Sequence, residues 1–409
     1  MDLLWITPKW PFPVADGARI ASTQLIKNLT AQGIKIHLCS IVPDQEKIES
    51  DQAGSKLGVS QVTLIRRPRT TRLRQILGFL TRPLFPITLA PYAHPDVVEQ
   101  LKLLFIKGDF DLVVYDGLHS AAWRLGNPQP KAKNFIEAYR AHNVESDIWF
   151  RGVQETKNIF KKMLFHFQGL LVKRVETKLV EESKFVFPVS FSDEAIFSGY
   201  PGHGRLHTLP IGIQVSLSHS FTQNEGIKNK ARNILFVGKL DWPPNREGLR
   251  WVLDHAWPKA KAEAPDLCLT IVGSGERNWL EAYRSLPGVR IVGQVENLAP
   301  YYDACIATLV PVFYGSGTRV KAIESCLYGR MCISTQIGVE GMGLLAGTHY
   351  CQVETAEEWI QALVNLETSR AFTMGNDARA YARTVFDPEV IARSFIQSVG
   401  QTTAVPISQ

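Results

Sequence analysis

Apolar residues along this chain fall into short runs, separated by longer stretches with helical spacing. DLLWIT (2–7) is an apolar run of strand length, and PKWPFPVADGAR (8–19) is a Pro/Gly loop. RIASTQLIKNLTAQG (19–33) carries apolar residues at helical spacing and stops on Gly33, and IKIHLCSIV (34–42) is a second apolar run. Strand, glycine loop, helix and strand in that order predict a βαβ unit on a parallel sheet. The alternation continues through VTLIRR (62–67), DLVVYDG (111–117), NFIEAYRAHN (134–143) and KFVFPVS (184–190), with one long helical stretch over 145–183. Residues 214–230 are polar, lack periodicity and read as a linker. The pattern then restarts with strands NILFVGKL (233–240), LCLTIVG (267–273), VRIVG (289–293), ACIATLV (304–310) and CISTQ (332–336). Helices fall between them, one spanning 246–265 and one 356–367, and a last helix starts on Asp-Pro at 387. The expected architecture is α/β with two open, mostly parallel sheets. In such sheets ligands bind beyond the carboxyl ends of the strands, and two units facing each other make a cleft.

Composition leaves this picture intact. The chain has 409 residues, 45% apolar and 21% charged, with a formal net charge of +6, so it is an ordinary globular composition with a mild basic excess. Six cysteines form no CxxC and no zinc spacing; they read as buried thiols in a reducing compartment. No apolar run reaches the roughly 18–20 residues of a membrane-spanning helix. The first residues lack a basic region and are broken by prolines, which excludes a secretory leader. A cytoplasmic protein is expected.

The densest chemistry is PVFYGSGTRVKAIESCLYGR (311–330). A strand ends near Pro311 and a helix starts near Thr318 or Arg319. Free N–H groups at a helix start, with the helix dipole, attract anions. Gly315 and Gly317 permit close backbone approach, and Arg319 and Lys321 add positive charge. Glu324 lies about a turn and a half further on, where a carboxylate suits the two hydroxyls of a ribose. The ligand this combination fits is a nucleotide diphosphate; the plainer alternative is a glycine turn beside a surface Arg and Lys.

The residues also carry a resemblance. PVFYGSGTRVKAIESCLYGRMCISTQIGVEGM (311–342) is similar to the C-terminal signature of the retaining family 4 glycosyltransferases (glycosyltransferase group 1), in the branch that writes GSGTR-x-K-x-x-E. FVGKLDWPPNREGLRWV (236–252), LTIVGSGE (269–276) and VRIVGQVENLAPYYDACIATLVP (289–311) follow that family's order, and AHNVES (141–146) and LPIGI (209–213) fit its first domain. The resemblance covers nearly the whole chain. It implies the GT-B fold: two Rossmann-like domains with an inter-domain cleft, the first over 1–213 on the acceptor side, the second over 231–386 for the nucleotide sugar. A helix over 387–409 can cross back to the first domain. It further implies that Glu324 holds the ribose, that Lys239, with Arg319 and Lys321 as further candidates, meets the diphosphate, and that Gly17 lets the first loop approach it. The backbone from Gly293 through Val295 and Glu296 would receive the base, and Ser316, Gly317 and Thr318 line the same donor loop. His142 would sit at the reacting sugar, with a helix-capping loop histidine as its plainer reading. Arg19 and His119 are candidates for acceptor or sugar. The sequence departs from the family at Ser316, where many members carry a second glutamate, and no clear basic residue follows Lys239; Arg246 is offset.

Departure of a diphosphate can be assisted by a metal or by fixed cations and dipoles. The sequence has no DxD and no ligand-spaced His/Asp cluster, while glycine loops and cations abound, so a metal-independent transfer with a UDP- or GDP-sugar as co-substrate, and no separate cofactor, is expected. IRRPRTTRLRQILGFLTRPLFP (65–86) holds six arginines and no acid among apolar residues, and KNIFKKMLFHFQGLLVKR (157–174) is basic and amphipathic. Both read as contacts to an anionic membrane surface rather than to nucleic acid. The combined expectation is a bacterial hexosyltransferase, peripheral on the inner face of the plasma membrane. It would serve polysaccharide or glycolipid biosynthesis on a glycan or lipid-linked acceptor. The rival readings are a nucleotide-sugar 2-epimerase and a non-catalytic nucleotide-binding scaffold of the same fold.

Overall fold

A computed structural model describes residues 1–400 except 15–16, 45, 47, 49–50, 69–83, 126–134, 203, 216–231, 316 and 318, and except the side chains of 51–53. Most of the basic segment 65–86 and of the linker 214–230 therefore lies outside the described residues. The chain divides into two compact units: Met1–Gly212 joined by the segment that starts at Pro388, and Ile213–Asp387.

The sheet of the first unit holds, among the described residues, β1 (Asp2–Thr7), β2 (Lys35–Pro43), β3 (Gln61–Arg67), β4 (Leu112–Asp116), β5 (Ile136–Ala141), β6 (Phe185–Pro188) and β7 (Arg205–Leu206). Every pairing is parallel, in the order β3-β2-β1-β4-β5-β6-β7. Parallel strands need crossovers, which cover both faces of the sheet. That is why LVVYD is buried at every position and DLLWIT at all but its first. The order reverses between β1 and β4, which makes the carboxyl ends of those strands the switch point where a ligand fits. The helix Pro388–Gly400 packs on the helix Gly17–Ala31 and buries Phe395 against the rings of Trp5 and Phe187, at 6.4 and 5.2 Å.

Two helices read as continuous from sequence are each broken. The stretch 145–183 is a hairpin of Glu145–Glu155 and Ile159–Glu182. Asn158 starts the second helix by accepting the Lys161 N–H at 3.1 Å, and the two helices pack Trp149 against Phe165 and Phe150 against His166. The stretch 246–265 divides into Pro243–His255 and Trp257–Glu263, because Pro258 lacks the N–H that a continuous helix would need there.

The second unit repeats the plan with β8 (Asn233–Val237), β9 (Cys268–Val272), β10 (Val289–Gly293), β11 (Ala307–Val310), β12 (Met331–Ser334) and β13 (Tyr350–Gln352), again parallel, in the order β10-β9-β8-β11-β12-β13. Its switch point lies between β8 and β11. The helix Pro243–His255 follows β8 and the helix Val320–Leu327 follows β11, so both begin at that point. All six cysteines are free thiols, four of them buried. Among the described residues no helix is long and apolar enough to cross a membrane.

Candidate functional site

Each unit places polar side chains at its own switch point. In the first unit a cavity of about 150 Å³ is lined by Lys9, Arg19, Ser22, Asp116, His119, His142 and Glu145, among others. Three of these, Arg19, His119 and His142, are the residues that the sequence reading assigned to the sugar or acceptor. Gly17 opens the helix beside them, and a side chain there would meet nothing within 4 Å.

The centre of this cavity is Asp116, the last residue of β4 and fully buried. One carboxylate oxygen accepts from Arg140 Nη1 at 2.9 Å and from His142 Nε2 at 2.7 Å. The other accepts from Ser22 Oγ at 2.5 Å and from the Trp5 indole N–H at 3.0 Å. Four donors fill the four acceptor positions of the carboxylate. Burial alone would raise the Asp116 pKa, but the charges of His142 and Arg140 and the bonds from His142 and Ser22 outweigh it and hold the group ionised, well below the usual carboxylate range. An ionised carboxylate cannot donate, so the His142 proton sits on Nε2. That bond fixes the ring's aim. Nothing local in the sequence marks Asp116, which anchors His142.

His119 packs edge-on against Tyr92 at 5.3 Å, and burial, with help from Lys9 and Arg67, pushes its pKa down to about 4, so it stands neutral. Arg19 Nε donates to the Trp10 carbonyl at 2.9 Å. Glu145, in the first turn of its helix, lines the cavity, and its N–H donates to Glu176 at 2.8 Å. Ser146 and Tyr200 also donate to Glu176, at 2.9 and 3.1 Å. Burial raises both glutamates to about 7, and Glu176 adds to the shift at Glu145.

In the second unit the loop between β11 and the helix Val320–Leu327 has Gly315 and Gly317 at φ 110° and 88°, a region that favours glycine. Arg319 is the residue before the helix, and its guanidinium turns back on the loop, donating to the Gly315 carbonyl at 2.9 Å and to that of Gly317. Ser316 and Thr318 lie outside the described residues. Pro311 is held by close approach: a side chain at Gly248, on the helix Pro243–His255, would overlap its carbonyl oxygen at 1.6 Å.

Lys321 reaches away from its own helix. Its Nζ donates to Asn245 Oδ1 at 2.6 Å and lies 4.8 Å from the Phe236 ring centre. Burial, and then the charge of Arg319, lower its pKa to about 7. Asn245 in turn donates to the Lys239 carbonyl at 3.0 Å, while the exposed Lys239 ammonium stands 3.8 Å from Asp241. The sequence reading looked for a second cation just after Lys239. Asn245 stands there, and the cation beside it is Lys321; Arg246 is half-buried and lies 3.9 Å from Glu247.

Glu324 is half-buried, accepts the Tyr302 O–H at 3.2 Å, and is raised to about 7 by burial despite that bond. Tyr302 stacks on Tyr328 at 4.2 Å. Val295 packs on the same small apolar cluster, Gly293 closes β10 at φ 92°, and Glu296 is exposed. The unit thus gathers a carboxylate, a half-buried amine, two further cations and two helix starts at the carboxyl ends of its strands. Tyr302 and Asn245 went unnoticed in sequence, where nothing local marks either.

Residues 231–369 match the family model described as glycosyl transferases group 1. An uncharacterised 44.6 kDa protein from the cps region of Klebsiella pneumoniae is 22% identical over 353 residues, covering 83% of this chain and 84% of that one. Sucrose-phosphate synthase from Thermosynechococcus elongatus superposes with a TM-score of 0.66 at 20% identity, over 98% of each chain. Anabaena HepE in complex with UDP and glucose does so with a TM-score of 0.62 at 14% identity, over 98% of this chain and 100% of that one. The fold is GT-B.

Removing the Asp116 charge leaves Arg140 buried without a counter-ion, so Asp116→Asn should cost about 3 kcal/mol of stability in thermal unfolding. A depressed pKa stabilises above its unfolded value, about 3.9, and the contribution fades as pH falls through the folded value. The wild type should therefore lose this stability below about pH 4, and the variant should lack that part of the acid loss.

Proposed function

We propose that this protein is a retaining glycosyltransferase that moves a sugar from a nucleotide-diphosphate donor to a glycan or lipid-linked acceptor without a metal. The observation that carries the reading is the second unit's crevice, where Glu324 suits a ribose and Lys321, Lys239 and Arg319 suit a diphosphate. The group 1 domain over 231–369 and the UDP bound to the HepE structure support a UDP- or GDP-sugar as the co-substrate.

In this reading the anomeric C–O bond breaks and its electron pair goes to the diphosphate. Fixed cations and the two helix starts stabilise that charge. The acceptor oxygen bonds to the anomeric carbon on the face the diphosphate leaves, and its proton passes to a leaving phosphate oxygen. His142 orients the sugar and stabilises charge. Asp116 is saturated by its four donors, which argues against its service as a nucleophile.

The acceptor reading rests on the first unit's helical hairpin. Ile159, Phe160, Met163 and Leu164 are 62, 78, 65 and 40% exposed on the first turns of the second helix, flanked by Lys157, Lys161 and the half-buried Lys162. Phe160, Met163 and Leu164 share one helical face. Apolar side chains for insertion with cations around them fit an anionic bilayer, and so a lipid-linked acceptor at the inner face of a bacterial plasma membrane. The cps-region relative supports a polysaccharide pathway.

A second reading, nucleotide-sugar 2-epimerase, draws on Glu145, a cavity carboxyl raised to about 7, in the range of acid/base work. Incubating a nucleotide sugar without acceptor separates the two by NMR: epimerised donor would establish the epimerase and displace the transferase.

Two measurements test the main reading. Glu324→Gln should weaken nucleotide diphosphate binding at least ten-fold in calorimetry, with the melting temperature changed little; full affinity in the variant would remove Glu324 from the donor site. Wild-type protein should float with phosphatidylglycerol-containing vesicles but not with pure phosphatidylcholine, and Phe160→Asp with Met163→Asp should abolish flotation while sparing nucleotide binding.

A further inference from the structure

The phosphate-binding cations of the second unit come from two separate loops, and one neutral side chain joins them. Asn245, in the first turn of the helix Pro243–His255, is 9% exposed. Its amide N–H₂ donates to the Lys239 carbonyl and its amide oxygen accepts from the Lys321 ammonium. The two ends are not interchangeable. A carbonyl only accepts and an ammonium only donates, so the amide has a single satisfied orientation. Gly238 leaves it the room, since a side chain there would come within 2.9 Å of the Asn245 nitrogen.

We propose that Asn245 is a positioning residue that fixes the Lys321 amine against the exit of β8, so that the phosphates of a nucleoside diphosphate meet an amino group already in place. This rests on the donor-site reading above and adds to it a residue and a mode of control. Lysine has a long flexible stem, and a ligand that had to order it would lose affinity. The Asn245 oxygen and the Phe236 face hold that stem in advance.

The neutrality of Asn245 matters. Charged and titratable groups around Lys321 are Arg319 and Glu324 on its own segment, Cys332 on β12, and Lys239 beyond Asn245. None of these supplies a close anionic partner, and burial holds the amine near neutrality at about 7. A diphosphate against it favours the ammonium, so binding takes up a proton. Affinity should fall as pH rises above 7, by up to ten-fold per unit. An aspartate at 245 would satisfy Lys321 internally and compete with the phosphates.

The test is isothermal titration of the full chain with UDP and GDP, and with uridine and guanosine, at pH 6.5 and 8.5 in two buffers of different ionisation heat. The preferred diphosphate should take up protons and bind on the order of ten-fold more weakly at pH 8.5. Lys321→Arg, which stays charged, should flatten that dependence, and whatever dependence it keeps is the ligand's own titration. Asn245→Ala should weaken the diphosphate about ten-fold and leave the matching nucleoside unchanged, which also shows that the variant is folded. Asn245→Asp should weaken it too, with its pH fall displaced upward. Diphosphate affinity and pH dependence unchanged in both Asn245 variants would overturn the assignment. Failure of the wild type to bind either diphosphate would overturn the donor-site reading itself.

Discussion

A parallel sheet leaves few places for chemistry, and this constraint shapes both units. Each strand must be followed by a crossover, and the crossovers bury both faces. Only the strand ends stay accessible. Where the crossovers part to opposite faces, between β1 and β4 and again between β8 and β11, a crevice opens at the carboxyl ends. Helix starts arrive there with unpaired N–H groups, so the crevice carries positive potential before any side chain is added. The polar residues that matter in each unit stand within a few positions of those two gaps.

The crevices then differ in what burial does to charge. In the first unit a carboxylate is taken fully out of water, at a cost that only a complete donor set can offset. Arg140, His142, Ser22 and Trp5 form that set around Asp116. The result is a rigid, ionised centre that orients one imidazole. In the second unit the half-buried Lys321 and Glu324 have fewer partners. Lys321 has a neutral amide and an aromatic face, and Glu324 has one phenol. Both are left near neutrality, the amine lowered and the acid raised. Under the proposed function, an anionic, hydroxyl-bearing ligand supplies the partners these two groups lack.

The sequence made some of this readable and hid the rest for a physical reason. Strands were legible because burial on both faces makes them continuous apolar runs, and LVVYD and CLTIV stand out on inspection. The Gly315–Glu324 loop was legible because its charges lie within ten residues of one another. Helix breaks were not, since the apolar rhythm of Leu253, Ala256, Trp257 and Ala260 runs straight through the break before Pro258. The pairings were the least visible. Asp116 meets Trp5 across 111 residues and Ser22 across 94, and Lys321 meets Asn245 across 76. Periodicity shows which segment carries a charge; only the sheet order shows what that charge faces.

That distinction changes how a departure from a family pattern should be read. Judged along the chain, the missing cation after Lys239 looks like a loss, because Asn245 cannot carry charge. Judged in space, the position still has its cation, delivered by Lys321 from the neighbouring crossover and held by the residue that seemed to lack it. Charge at a strand-end crevice is a property of the crevice rather than of any one loop, since every loop that ends there can reach it. The same reasoning applies to the family's glutamate position at Ser316: under the proposed function, what would stand against a donor sugar depends on which side chains converge on the crevice, and the chain order of the loop does not fix that.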